Sequence, residues 1–223
     1  MTTSEFSNEF DVLYNNVTSN QAPGLDNYEK SVVLTKAQEE VVLGLYSGTS
    51  GFSFEETEYL RRCLDFLVET ATLKPASLEE IKIDQSSTLF QLPTDKTKEC
   101  WFITYEQATL NNNKLVKVIP VRLDEWNVVK DNPFKKQNKN KVIRVDSGNN
   151  IIELISDLPV SEYKIKYLRR PSPIILETIT TGEKINGESE ERSCELNTVL
   201  HRLILDRAVQ LAANIFKQQA GSN

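Results

Sequence analysis

The spacing of apolar residues changes twice along this 223-residue chain, and this change restricts the fold more than any single motif does. Up to about residue 70, apolar residues recur at intervals of three and four, which is typical of amphipathic helices. From about residue 100 to about residue 170, several segments are rich in β-branched and aromatic residues, as strands are, and Tyr163 to Tyr167 alternate as in a half-buried strand. Helical spacing returns at Glu195. The order of helices, sheet and helix predicts an α+β fold.

Three helices are predicted in the N-terminal part of the chain. The first carries an apolar face from Phe6 to Val17, and Asp26 is placed to cap the second. Ser53-Phe54-Glu55-Glu56 has the spacing of a capping box, so a third helix is expected to begin there, with an apolar stripe that continues to Ala71. These elements make up a predicted helical part, residues 1–80.

The middle of the chain predicts a mostly antiparallel sheet. Asp146 to Asn150 contain Gly and Asn at the position of a hairpin turn, and Leu123 to Val129 have the pattern of a short helical turn. No long helix separates successive strands, so antiparallel neighbours are expected. The strand candidates are residues 101–105, 116–121, 142–145, 151–155 and 163–167.

A polar segment at 180–194 separates this sheet part, residues 81–179, from a C-terminal helix within 195–223. The Gly, Ser and Glu content of the segment predicts a mobile linker. The parts together fit one domain with extensions. The C-terminal helix has a long apolar stripe and one polar face, and two arrangements fit it. It can fold back on its own domain, or it can lie in a groove of a neighbouring molecule.

The residues that most enzymes need are missing. The one histidine, His201, lies within the C-terminal helix, so no Ser-His-Asp, Cys-His or multi-histidine arrangement can form. Cys63, Cys100 and Cys194 are far apart, and no glycine-rich phosphate motif occurs. We therefore expect no enzyme activity, no metal and no cofactor. The chain shows no apolar run of membrane-spanning length and no secretory signal, so we expect synthesis in the cytoplasm and no membrane partner.

Charge is distributed unevenly. Residues 1–80 carry 14 acidic and 5 basic side chains, a balance of −9, and residues 81–223 carry 18 and 21, a balance of +3. A basic loop is predicted between the sheet elements, and it would suit phosphates, an acidic protein face or plain solvent. Its single aromatic residue, Phe134, is too little for a base-stacking platform. The basic residues are Lys130, Lys135, Lys136, Lys139, Lys141 and Arg144.

Several segments together resemble virion structural proteins of crAss-like tailed bacteriophages. They occur in the same order as in that family and cover most of the chain. No single segment carries a mechanism. The segments are Glu9–Asn16, Ala22–Asp26, Glu29–Val32, Leu34–Gln38, Asn132–Lys136, Val142–Asp146, Tyr167–Leu176 and Cys194–Leu196 with the helix that follows.

The resemblance implies a head-to-tail ring or adaptor protein of the virion, which links the portal to the tail and conducts the genome passively. It implies a homo-oligomeric ring of about twelve copies, with the portal and neighbouring tail or ring proteins as partners and with nonspecific contact to packaged DNA at the basic loop. The alternative is a small nucleic-acid-binding or host-directed regulatory protein. On the first interpretation the apolar stripe of the C-terminal helix contacts the portal or an adjacent subunit. Its residues are Leu196, Leu200, Leu203, Ile204, Ala208, Leu211 and Ile215.

Overall fold

The chain divides into two units, one built mainly from helices and one from a single sheet. A computed structural model describes residues 1–19, 22–48, 54–77, 82–95 and 98–220. Residues 1–67 with 171–223 form the helical unit, and residues 68–170 form the sheet unit. The predicted α+β fold is confirmed, with N-terminal helices, a central sheet and a long C-terminal helix.

Helices and strands occupy most of the described chain. The helices are α1 (Thr3–Val17), α2 (Asn27–Ser47), α3 (Phe54–Arg62), α4 (Leu123–Lys130) and α5 (Thr198–Ala220). The strands are β1 (Val68–Leu73), β2 (Ser87–Gln91), β3 (Cys100–Leu110), β4 (Leu115–Val121), β5 (Lys141–Gly148), β6 (Ile151–Ile155) and β7 (Val160–Arg169). The predicted cap at Asp26 is present, and its carboxylate accepts a hydrogen bond from the Glu29 amide at 2.7 Å.

The core of the helical unit lies where α5 packs against α1 and α2. Burying one large apolar side chain stabilises a fold by about 1.5–3 kcal/mol. This seam therefore ties the last helix firmly to the first two. The fully buried residues are Phe6 and Phe10 of α1, Leu34 and Ala37 of α2, and Leu200, Ile204 and Ala208 of α5.

Residues 171–197 lead into α5 and contain an antiparallel hairpin. Ile175 and Arg192 exchange two backbone hydrogen bonds of 2.9 Å, and Asn186 and Gly187, both at positive φ, lie at its turn. The prediction of a polar linker at 180–194 stays a prediction. Within this segment, Ile185 and Glu188 exchange backbone hydrogen bonds, and Arg192 pairs with Ile175, as in a hairpin.

Polar side chains of α2 hold the hairpin in place. The Thr35 hydroxyl donates to the Ile174 carbonyl at 3.2 Å and accepts from the Ile174 amide at 3.1 Å. The Gln38 side-chain amide donates to the Ser172 carbonyl at 2.7 Å. Both α2 side chains are buried, so these bonds satisfy groups that water cannot reach.

The sheet unit contains one seven-stranded sheet in the order β1-β7-β3-β4-β5-β6-β2. Neighbouring strands are antiparallel with one exception, the parallel pair β4 and β5, between which α4 carries the chain back. The predicted mostly antiparallel sheet is thus confirmed. The predicted hairpin joins β5 and β6, with Asn149 and Asn150 at φ of 50° and 60°.

One strand lies where the sequence predicts a helix. α3 ends at Arg62, and Val68–Leu73 form β1, which pairs with β7 along its whole length. The helical spacing that was expected to reach Ala71 stops early because β-branched residues follow Leu67 and favour a strand. β2 is a second strand that the sequence pattern did not reveal.

β5 separates two apolar cores of the sheet unit. Val142 points to the larger core, which contains Phe90, Tyr163 and other side chains of the remaining strands. Ile143 and Val145 point to the opposite face, where α4 packs. The alternation along one strand therefore fixes which β5 side chains meet α4 and which lie inside the larger core.

Candidate interaction surfaces

The apolar stripe of α5 is largely used inside its own unit. Burial against α1 and α2 corresponds to the fold-back arrangement, and it removes most of the stripe from contact with other molecules. The prediction that these residues contact the portal or an adjacent subunit stays a prediction, and only the outer members are available for it. Leu196, Leu200, Ile204 and Ala208 are buried, Leu203 and Leu211 are partly buried, and Ile215 is 48% exposed.

The single histidine lies in this seam and connects three parts of the helical unit. The terminal ammonium of Met1 donates to His201 Nδ1 at 2.8 Å, and His201 Nε2 donates to the Leu196 carbonyl at 2.9 Å. Burial, and secondarily the charge of the terminal ammonium, lower the pKa of His201, while the bond to Leu196 opposes the shift. The neutral ring therefore has both nitrogens paired within the fold.

The basic loop lies between α4 and β5, and the structure brings most of its predicted residues together. Lys130 ends α4, and Lys135, Lys136 and Lys139 are exposed on the loop. The Lys141 ammonium turns inward and donates to the carbonyl oxygens of two loop residues. Four exposed lysines therefore define the charged surface.

Arg144 does not belong to the basic loop, and this is a correction. Its position in β5 places it on the same side as Val142, so the side chain is mostly buried in the sheet unit. Arg144 Nη1 donates to both carboxylate oxygens of Glu106 at 3.1 Å. Arg144 Nε lies 3.3 Å from the Asp146 carboxylate without hydrogen-bond geometry. The guanidinium is therefore paired with a carboxylate inside the sheet unit, which neutralises its charge.

Tyr163 completes this buried cluster. Its hydroxyl donates to Glu106 Oε2 at 2.7 Å. Burial first, and then the Glu106 carboxylate, raise the pKa of Tyr163, so the hydroxyl remains a donor at ordinary pH. Sequence reasoning missed Glu106, although strand alternation offered a signal. Ala108 and Leu110 follow it at intervals of two and are buried.

The tip of the basic loop presents an aromatic side chain to solvent. Phe134 is 90% exposed. The loop beneath it is built from hydrogen bonds: the Asn132 side-chain oxygen accepts from the Phe134 amide at 3.0 Å and from the Lys135 amide at 3.3 Å. Lys141 Nζ donates to the Lys135 carbonyl at 2.6 Å. The sequence identified Phe134 as a lone aromatic residue but did not reveal that it stands on an ordered loop.

A groove between α1 and α5 is a second candidate surface. It encloses about 530 Å³, and Val12, Leu13 and Leu205 form its apolar lining. Charged side chains at its rim include Glu9 and Asp206. Val12 is 62% exposed at the edge of this groove. The groove can accept a side chain from another molecule.

The described residues show no arrangement typical of a metal site, a reactive or bridged cysteine, or a membrane span. Across the described ranges, no three His, Cys, Asp or Glu side chains are gathered as metal ligands would be. Cys63, Cys100 and Cys194 are free thiols, and burial raises the pKa of Cys100 and of Cys194 to about 11. No helix in the described part of the chain has the length and hydropathy for a membrane span.

Comparison with known proteins points to one family. The family described as "Phage tail ring protein 3/4" matches residues 1–223. Ring protein 3 of Bacteroides phage crAss001 is 42% identical over 233 aligned residues, which cover 100% of this chain and 99% of that protein. Ring protein 4/5 of the same phage is 38% identical, with 95% of this chain and 92% of that protein covered.

Proposed function

The chain belongs to the phage tail ring protein 3/4 family, and we propose that it is a subunit of a head-to-tail connector ring that links the portal to the tail. The observation that carries this proposal is the match over the whole chain to a ring protein, with almost none of either protein left over. The role is structural, and the genome passes through the ring without chemistry at this subunit.

The two units carry opposite net charge, which suits a subunit that must contact its neighbours through different surfaces. A closed ring requires two different, complementary sides on every copy, and stacked rings require faces for the layers above and below. The helical unit carries 18 acidic and 9 basic residues, a balance of −9, and the sheet unit carries 14 and 17, a balance of +3. Opposite charge on the two units favours ordered contacts between copies and with the portal or neighbouring ring proteins.

The surroundings of the only histidine support a role without catalysis. His201 is buried and both its ring nitrogens are paired with groups of the fold, so it is not positioned to act on a substrate. We expect purified protein to show no hydrolase or nuclease turnover with or without a divalent metal. A turnover that His201→Gln abolishes while the fold persists would contradict this part of the proposal.

Passive conduction of DNA fits the overall charge. A chain of net charge −6 repels the phosphate backbone at long range, and the four exposed lysines of the basic loop form a local positive surface. Any contact with packaged DNA at this loop is nonspecific, since no aromatic platform or groove-reading element accompanies it. Such binding would weaken steeply as salt is raised.

Quantitative mass spectrometry of purified particles tests the proposal. We expect about twelve copies of the chain per particle, in a fixed ratio to the portal protein. Particles that lack the chain would refute a structural role. A copy number near that of the capsid shell would refute the ring and indicate a coat or decoration protein instead.

A further inference from the structure

An exposed aromatic side chain on an ordered loop is well suited to binding another protein. Phe134 is 90% exposed, yet hydrogen bonds already hold the loop in shape: the Phe134 amide donates to the Asn132 side chain, and Lys141 donates to the Lys135 carbonyl. Binding through such a loop costs little conformational entropy, because the loop need not be ordered on contact. Aromatic side chains of this kind often supply a large share of the energy of an interface.

The surroundings of Phe134 define the chemistry of its partner. Lys130, Lys135, Lys136 and Lys139 are exposed near it in the loop, with Asp131 as the acidic residue among them. Lysines at the edge of an interface favour an acidic partner and raise the rate of encounter with it. The partner must therefore combine an apolar seat for one ring with an acidic rim.

The α1/α5 groove has both properties. The space of about 530 Å³ has room for a phenyl ring, and its apolar side is formed mainly by Val12 and Leu13, since Leu205 is only 2% exposed. Its rim holds Glu9 and Asp206 against Arg202, a local balance of −1. The groove belongs to the helical unit, whose overall balance is −9. The loop thus offers an apolar side chain among positive charges, and the groove offers an apolar lining with a negative rim.

From this complementarity we infer that the Phe134 loop of one copy inserts into the α1/α5 groove of the next copy. The inference rests on the proposed ring function, because it concerns the contact that repeats around the ring. Loop and groove are different surfaces, so each copy uses one of each, and the contact repeats head to tail until rotation closes it. An open head-to-tail pair of copies would leave one loop and one groove unfilled, so further copies add until the ring closes.

Cysteine cross-linking of the full chain tests the contact while leaving Phe134 intact. Lys135→Cys places a thiol beside the anchor, and Asn8→Cys places one at the groove. We expect mild oxidation to give a ladder of linked copies when both changes are in one chain, in assembled particles and in concentrated protein. Each single variant, and the chain with only its natural cysteines, should give no ladder. A double variant that enters particles normally but forms no ladder would overturn the inference.

Charge reversal distinguishes a protein partner from DNA at the same loop. Lys135→Glu and Glu9→Lys should each weaken association between copies by about tenfold, and the double variant should recover most of the loss. Phe134→Ser should weaken it at least as much, whereas Leu115→Ser, at another exposed apolar position of the sheet unit, should have no effect. Loss of DNA binding in Lys135→Glu without rescue by Glu9→Lys would overturn the inference in favour of a phosphate contact.

The two proposals fail in different ways. Unmodified chain that is missing from purified particles would refute the ring function itself. If the chain is present at a normal copy number but shows neither the ladder nor the charge rescue, the proposed ring function is not contradicted. In that case only the contact between Phe134 and the groove would be withdrawn.

Discussion

The helical unit and the sheet unit both bury polar side chains, but in different proportion: the helical unit buries several neutral groups beside the Lys30 ammonium, which pairs with Asp11 at 2.7 Å. In the helical unit, neutral side chains of α2 such as Ser31 and Thr35 pair with the backbone of the hairpin that follows the sheet unit. In the sheet unit, the buried polar groups include the carboxylates of Glu106 and Glu153. Removing one partner of a buried neutral hydrogen bond costs about 1–3 kcal/mol, whereas breaking a buried ion pair by removing one partner costs about 3–5 kcal/mol.

Glu153 shows how far the sheet unit depends on such a charge. Its carboxylate accepts from the Ile83 amide at 3.0 and 3.1 Å, from the Ser87 hydroxyl at 2.9 Å and from the Ser147 hydroxyl at 2.8 Å. One side chain of β6 thereby holds the segment before β2 and the neighbouring strand β5. We therefore expect the loss of a buried carboxylate in the sheet unit to cost more stability than the loss of a partly exposed carboxylate in the helical unit.

The largest effect is expected for a charge placed in the apolar seam of the helical unit. Ile204 is fully buried, so Ile204→Asp should lower the free energy of unfolding by about 4 kcal/mol or more. The matched control is Val199→Asp on the same helix, at a site that is 42% exposed, and it should cost less than about 1 kcal/mol. Denaturant titration of both variants measures the difference. Equal, small losses would mean that α5 leaves its own unit and that the outward arrangement is right.

Removing one buried charge from the sheet unit should rank second. Glu106→Gln removes the buried counter-charge of the Arg144 guanidinium and leaves only the exposed Asp146 carboxylate near it, so we expect a loss of about 3 kcal/mol in unfolding free energy. The comparison in the helical unit is Glu40→Gln, which breaks a partly exposed pair with Arg207 and should cost less than about 1 kcal/mol. Equal losses of unfolding free energy in the two variants would contradict the expected difference between the buried pair and the partly exposed pair.

A smaller loss is expected when a neutral link of the helical unit is removed. Thr35→Val keeps the shape but deprives the amide and the carbonyl of Ile174 of their side-chain partner, at a cost of about 2 kcal/mol. Ser47→Ala removes an exposed hydroxyl near the end of the same helix and should change stability by less than about 0.5 kcal/mol. Hydrogen exchange should show faster exchange at Ile174 only in Thr35→Val. An unchanged rate would mean that the hairpin is held by other groups.

The smallest effect concerns pH and belongs to the helical unit alone, since His201 is the only histidine. Its pKa is lowered in the folded state, so the unfolded chain binds the proton more readily. Its contribution is fully present above the unfolded pKa of about 6.5 and is lost as pH falls from there through the folded pKa. We expect the stability of the unmodified chain to fall between about pH 7 and pH 5 more than that of His201→Gln. Parallel curves would show that the imidazole is not buried as a neutral ring.

Local signals predicted much of the fold correctly. The cap at Asp26, the Asn149–Asn150 turn and the alternating segments of β3 to β7 are properties of neighbouring residues, and all of them are present. β1 was missed because the apolar spacing of the preceding helix runs on to Ala71. Only pairing with β7, far along the chain, decides in favour of a strand.

The candidate surfaces were predicted less completely, for a related reason. The exposure of the lysines at 135, 136 and 139 is predicted by the polar composition of the loop alone. The burial of Arg144 instead depends on strand alternation and on its pairing with Glu106 across the sheet. The apolar stripe of α5 has the same pattern whether the helix folds back or docks on another molecule. A pattern along one helix does not identify the surface that covers it.

A reconstruction of the head-to-tail junction of intact particles by electron cryo-microscopy tests the central claim most directly. We expect a closed ring of about twelve copies at this junction, with density in each copy that fits the helical unit and the sheet unit. The proposal that this chain is a structural ring subunit would be contradicted if other proteins accounted for all of the density there and the chain were found in infected cells but not in particles.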